Sequence, residues 1–123
     1  MRMTFPILQR LHPGPRLSEA AIYSRTVYLA GQVPDQQPDA DMTGQTREVL
    51  GHVERLLAEA GSGKDCILQC QIYLRDIADI KVMNSVWDAW IPAGSAPPRA
   101  TVQAALGDPR WRIEVVVVAA QKH

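Results

Sequence analysis

Two charged side chains stand where the surrounding sequence gives them a task. Arg99 follows Pro97-Pro98 and opens the alternating run Arg99-Ala100-Thr101-Val102-Gln103-Ala104. A stiff proline pair leading into a strand-terminal guanidinium holds two parallel N–H donors at a cleft mouth, the geometry that a carboxylate accepts. Spacing alone equally admits an arginine at the surface or in an ion pair. Glu114 is the only carboxylate between Ile113 and Ala120. An acid in so apolar a run is either paired, with Arg112 or Arg99, or kept for chemistry with a raised pKa.

Other chemistries find little support. Gly-x-Gly-x-x-Gly, His-Glu-x-x-His, Gly-x-Ser-x-Gly and a Cys/His cluster are all missing, so neither a cofactor nor a metal is expected. Gly61-Ser62-Gly63-Lys64 is not a phosphate loop: the first motif glycine would be Ala58, and Asp65 replaces the Ser/Thr. His12, His52 and His123 are scattered, and His52 reads as a partly exposed helix residue. Cys66 and Cys70 fall four apart in a run with period two, roughly 13 Å along a strand, too far for a disulfide. They are expected to be buried, inert core thiols. Trp87 and Trp90, at helical spacing, read first as core and second as pocket lining.

These residues must be positioned by a small frame. The chain has 123 residues, with 13 Lys+Arg against 13 Asp+Glu, and is expected to form one domain over residues 1–123. Charge neutrality argues against a nucleic-acid or membrane-surface partner. The longest apolar run, Ile113 to Ala120, falls far short of the ~20 residues of a bilayer span. The chain opens without a basic-then-apolar leader, and a cytoplasmic location is expected.

Hydrophobic periodicity places the elements. Phe5 to Arg10 reads as extended, Pro13-Gly14-Pro15 as a turn, and Ala21 to Leu29 as two short strands meeting at Ser24-Arg25. Gly31 to Asp41 is a loop. Thr43 is the expected N-cap of a helix whose stripe is Val49, Leu50, Val53, Leu56, Leu57 and Ala60, stopped by Gly61-Ser62-Gly63. A strand follows with Cys66, Leu68, Cys70, Ile72 and Leu74 on one face. A second helix spans Ala78 to Trp90, and strands at Arg99 to Ala104 and Trp111 to Ala120 complete the chain. The expectation is an α+β domain of about six strands with both helices on one sheet face.

That arrangement leaves a face uncovered. Six strands at ~4.8 Å spacing make a sheet nearly 30 Å wide, and two helices cover one side of it. The last strand is apolar on both sides, with Val116 and Val118 opposite Ile113, Val115 and Val117. A homo-oligomer is the expected cover.

Three segments carry a resemblance. Tyr28-Leu29-Ala30-Gly31-Gln32-Val33-Pro34, Pro98-Arg99-Ala100-Thr101-Val102-Gln103-Ala104 and Arg112-Ile113-Glu114-Val115-Val116 resemble the Rid family of reactive intermediate/imine deaminases, or YjgF-like proteins. The run Met83-Asn84-Ser85-Val86-Trp87-Asp88-Ala89-Trp90 looks most like the bacterial RidB/YoaB-type branch. The resemblance implies a chorismate-mutase-like fold, a homotrimer with clefts between subunits, and hydrolysis of 2-imino acids or their enamines to 2-keto acids and ammonia. It also implies roles: Arg99 for the substrate carboxylate, Glu114 for the attacking water, and the backbone at Gly31 and Thr101 lining the cleft. Leu17 stands near a position where archetypal members have Tyr, and it becomes a candidate pocket residue for substrate preference. The alternative is a non-catalytic trimer binding a small carboxylate in the same clefts.

Overall fold

A computed structural model describes residues 6–123. Six strands, β1 (Gln9–Pro13), β2 (Ser18–Tyr23), β3 (Thr26–Leu29), β4 (Ile67–Leu74), β5 (Arg99–Gln103) and β6 (Ile113–Ala120), form one mixed sheet in the order β1-β2-β3-β6-β4-β5. Helices α1 (Met42–Glu59) and α2 (Ile80–Trp90) complete it. Every pairing is antiparallel except β4 with β5. That pair is parallel because α2 carries the chain from β4 back to the start of β5, as a crossover between parallel strands requires.

Local chemistry explains the boundaries. Ser24 and Arg25 turn β2 into β3 as expected, both at positive φ (51° and 68°), the two-residue geometry that matches strand twist. Neither is Gly, so the turn is strained by about 1 kcal/mol or more per residue. Bonds to the C-terminal segment offset this: Gln121 N donates to Arg25 O at 2.8 Å, and the Arg25 guanidinium donates to Lys122 O at 3.1 Å.

Helix α1 buries Val49, Leu50, Val53, Leu56 and Leu57 as its stripe dictates. Its cap is Asp41 rather than Thr43: Asp41 Oδ1 accepts from Gly44 N at 2.9 Å, and Thr43 lies inside the first turn. A carboxylate there satisfies an orphan N–H and complements the helix dipole.

Other boundaries also move. Phe5 of the expected extended segment lies outside the described residues, and β1 runs on to Pro13. The cysteine strand starts late. Cys66 ends a 3-10 turn over Lys64–Cys66, and a register shift between Ile67 and Gln69 turns Leu68 out to 50% exposure. The expected stripe therefore holds only from Cys70 to Leu74, and Cys66 is half-buried rather than core.

Both helices cover one sheet face. Under them lie Ile113, Val115, Val117 and Ala119 of β6 with Cys70, Ile72 and Leu74 of β4. The other face shows half-buried Val116 and Val118 and exposed Tyr23, Tyr28 and Val102.

Two polar side chains pin the approach to β6. The buried Gln45 amide donates to Pro38 O, Ala40 O and Arg110 O, and its Oε1 accepts from Arg112 N at 2.7 Å. Arg75 donates to Trp111 O and Asp108 O, each at 2.7 Å. Such side-chain bonds hold irregular backbone that has no ladder partner. They fix where β6, and hence Glu114, begins.

Candidate functional site

Arg99 opens β5 at the sheet edge, with its side chain on the helix-covered side. The register aligns it with Cys70 and, through Cys70, with Val117. Its Nη2 donates to Asn84 Oδ1 at 2.7 Å, its Nη1 lies 3.9 Å from Met83 Sδ, and its Cζ is 5.0 Å from the centroid of the Trp87 ring. Asn84, Trp87, Asp88, Ala96, Pro97 and Arg99 line an open recess of ≈ 260 Å3. Among the described residues Arg99 forms no ion pair. The charge is positioned by a neutral amide and an indole face, an arrangement that leaves it able to bind an anion.

Cys70 lies beneath it. Burial pushes that thiol up to about 12, against the opposing pull of Arg99, so at neutral pH it carries no charge to offset the guanidinium. Burial, then Asp65, raises Cys66 as well. Neither thiol has the depressed pKa of a nucleophile.

Glu114 is half-buried on the uncovered face, in a row with Tyr73 and Val102. It pairs with neither Arg112 nor Arg99. Its carboxylate lies against Gly31, where a Cβ would stand 2.2 Å from Glu114 Oε2. The absence of a side chain at Gly31 is what lets the carboxylate occupy that place. Backbone bonds between Gln32 and Val115, 2.8 and 3.0 Å long, hold that segment on β6 beside Glu114.

The structure brings together some of the expected residues and separates others. Glu114 and Gly31 meet, and so do Arg99 and Trp87, but the two pairs lie on opposite faces of the sheet. Trp87 serves core and recess at once, being 5% exposed and in contact with Arg99. Trp90 is drawn away: its Nε1 donates to Glu54 Oε1 at 2.9 Å, and it does not line the recess. Thr101 shares the face of Arg99, two residues along, and its Oγ1 is buried without a partner among the described residues. Leu17 is exposed and does not line the Arg99 recess. Asn84 carries no sequence signal, since a helical Asn reads as a solvent-facing residue until its partner is known.

A second polar cluster joins the loop after β3 to α1. His52 Nε2 lies 2.8 Å from Glu48 Oε2 and 3.1 Å from Asp35 Oδ1, and its Nδ1 lies 3.2 Å from Arg55 Nη2. Arginine has only donors, so Nδ1 accepts and Nε2 carries the proton shared by the carboxylates. Glu48 also accepts from Gln36 N and Gln37 N. With Nε2 protonated the ring has no lone pair free for a cation, and the cluster ties loop to helix.

Residues 7–121 match the family model described as Endoribonuclease L-PSP. A "RutC family protein" of Haemophilus influenzae is 46% identical over 112 residues, 91% of this chain and 97% of the relative. "RutC family protein YoaB" of Escherichia coli is 41% identical over 111 residues, 90% and 96% of the two chains. The crystal structure of NMB1025 from Neisseria meningitidis, described as a member of the YjgF protein family, superposes with a TM-score of 0.90 at 40% identity, covering 95% and 97%. The chain belongs to the Rid/YjgF family, in its YoaB-like branch. A more distant member, named "3-aminoacrylate deaminase RutC" in Acinetobacter baylyi, is 35% identical over 98 residues, 76% of this chain and 77% of that one. The family fold is the sheet with two helices described above. Among the described residues no helix is long and apolar enough to cross a membrane.

Proposed function

We propose that this protein hydrolyses 2-imino acids, or their enamine tautomers, to 2-keto acids and ammonia in the cytoplasm, as a homotrimer that removes reactive metabolites. The single observation carrying the reading is Arg99, a guanidinium positioned by Asn84 and Trp87 at an open recess and free of any ion pair among the described residues. The relative named as a 3-aminoacrylate deaminase supports the broader class, a carboxylate bearing an enamine, with its amine on C3 instead of C2.

The chemistry asks little of the protein. Arg99 grips the substrate carboxylate through two N–H donors and so fixes the imine carbon. Water adds to that carbon while Glu114 takes its proton and passes it to the imine nitrogen; the carbinolamine hydroxyl then gives up its proton to the amine, which leaves as ammonia as the carbonyl forms. An imine is already electrophilic, so orientation and one proton acceptor suffice without a metal or a covalent nucleophile. In the trimer, clefts between subunits would bring Arg99 and the Thr101 backbone of one copy to Glu114 and the Gly31 backbone of the next.

The opposite-face placement of Arg99 and Glu114 within one chain favours one rival: a trimer that binds a small carboxylate through Arg99 and does no chemistry. Imine generated in place from alanine or leucine by an amino-acid oxidase, with semicarbazide trapping the survivors, separates the two. The wild type is expected to speed imine loss. Arg99→Ala should cost on the order of 2–5 kcal/mol of transition-state binding with the oligomer intact. Unchanged imine lifetimes with wild type across several amino acids overturn the deaminase in favour of the binder.

A further inference from the structure

Helix α2 presents to Arg99 one side chain that can hold a guanidinium without neutralising it. Asn84 Oδ1 accepts from Nη2 at 2.7 Å, and both residues line the same recess. An aspartate has nearly the same shape and would hold the arginine more strongly, as a charge-assisted pair. It would also cancel the charge and place an anion at the mouth of the recess. The amide does neither, because with Oδ1 engaged its remaining capacity is two N–H donors, which are compatible with an incoming carboxylate.

The other groups in contact with the arginine follow the same rule, and the one carboxylate lining the recess does not pair with it. Met83 offers a thioether at 3.9 Å and Trp87 an indole face at 5.0 Å. Cys70, aligned with Arg99 across the parallel ladder, stays a thiol at neutral pH because it is buried. Asp88 lines the recess, is exposed, and forms no ion pair with Arg99. A cation surrounded by an amide, a thioether, a thiol and an indole has been given geometry without a counter-ion.

We propose that Asn84 is a positioning residue of the carboxylate site, whose neutrality, and not merely its hydrogen bond to Arg99, sets the affinity for the anion. The inference rests on the reading of Arg99 as the carboxylate anchor. Its electrostatic consequence is that an isosteric acid at position 84 acts as an internal competitor, occupying the guanidinium that substrate needs.

The test is titration of the intact oligomer with pyruvate, a product-class carboxylate, by calorimetry, beside the imine assay and thermal melts. Asn84→Asp should bind pyruvate on the order of 100-fold more weakly than wild type while melting no lower, since the new pair forms inside the protein. Asn84→Ala, which loses the tether but keeps neutrality, should lose only about tenfold, and Asn84→Gln should recover part of that. In the imine assay the loss in Asn84→Asp should fall on KM more than on kcat. Wild-type affinity in Asn84→Asp, or a deeper loss in Asn84→Ala than in Asn84→Asp, overturns the inference and leaves the deaminase standing. Unchanged imine loss with pyruvate still bound overturns the deaminase and leaves the inference standing, whereas failure of the wild type to bind pyruvate removes Arg99 as the carboxylate anchor and overturns the inference.

Discussion

Arg99 and Glu114 lie on opposite faces of the same sheet. Cys70 aligns with Arg99 on one side and Val117 on the other, whereas Tyr73 aligns with Glu114, and residues three apart on β4 point opposite ways. A reaction that needs both side chains must therefore draw them from different copies. This sets an expectation that no single-chain site would meet. Arg99→Ala and Glu114→Gln should each be inactive alone, yet unfolding and refolding them together at equal amounts should restore about a quarter of wild-type imine hydrolysis, the fraction of random interfaces with both groups intact. Mixed oligomers, verified by mass spectrometry, that regain nothing would mean the two residues do not share a cleft.

Gly31 offers a milder probe of the same carboxylate. A Cβ there would stand 2.2 Å from Glu114 Oε2 and 2.9 Å from Cδ, so Gly31→Ala must push the acid aside. The obstacle is the far end of a flexible side chain on the uncovered face, so relief is a rotamer change rather than a backbone shift. The fold should survive with a melting temperature within a few degrees of wild type. Turnover should fall about tenfold if the carboxylate places the water. A variant that melts normally and turns over like wild type would remove Glu114 from the mechanism.

The parity of Arg99 and Glu114 was beyond reach of the sequence, and the reason is physical. Each strand's alternation is legible, but relating β5 to β6 requires two ladder registers through β4, which are set by tertiary packing. The turn at Ser24-Arg25 was legible because the β-branched and aromatic residues on either side leave it as the one place to reverse. The α1 stripe was legible because six apolar positions repeat with one period. The shift between Ile67 and Gln69 was not: Leu68 looks like the next core residue, and nothing local marks a bulge. Asn84 was hidden for another reason, since its partner is fifteen residues on, across the crossover from helix to sheet edge. Arg99 could be singled out from sequence, and the Asn84 side chain that holds it could not.

Acid should weaken the segment that leads into β6. Arg110 holds the Asp108 carboxyl below its usual 3.8, first through its side chain and then through its backbone N–H. A carboxyl with a depressed folded pKa contributes stability above its unfolded value and loses it as pH falls through the folded one. The contribution is therefore present at neutral pH and fades below about pH 4. Melting temperatures of wild type and Asp108→Asn should differ near pH 6 and converge near pH 2.5. A gap that stays constant through the acid range would mean that the ionisation of Asp108 contributes nothing to stability.

Alkali should act through Cys70 with the opposite sign. Its thiol has an ordinary value of 9.0 and is pushed up to about 12 by burial, the Arg99 charge opposing only in part. A group whose folded pKa is raised binds its proton more tightly when folded. Its contribution is full below the unfolded value and is lost as pH climbs from about 9 to about 12, by up to about 1.4 kcal/mol per pH unit. Lysines and tyrosines titrate in the same range, so the informative quantity is the difference between wild type and Cys70→Ala. The variant loses packing and should melt lower at pH 8, yet its stability should fall less steeply above pH 9. Cys70 should also resist alkylation at pH 8 until the protein unfolds, because only the thiolate reacts. Parallel alkaline limbs, or ready labelling of Cys70 in the native oligomer, would show that the thiol under Arg99 ionises in the folded protein and that the arginine has a counter-ion after all.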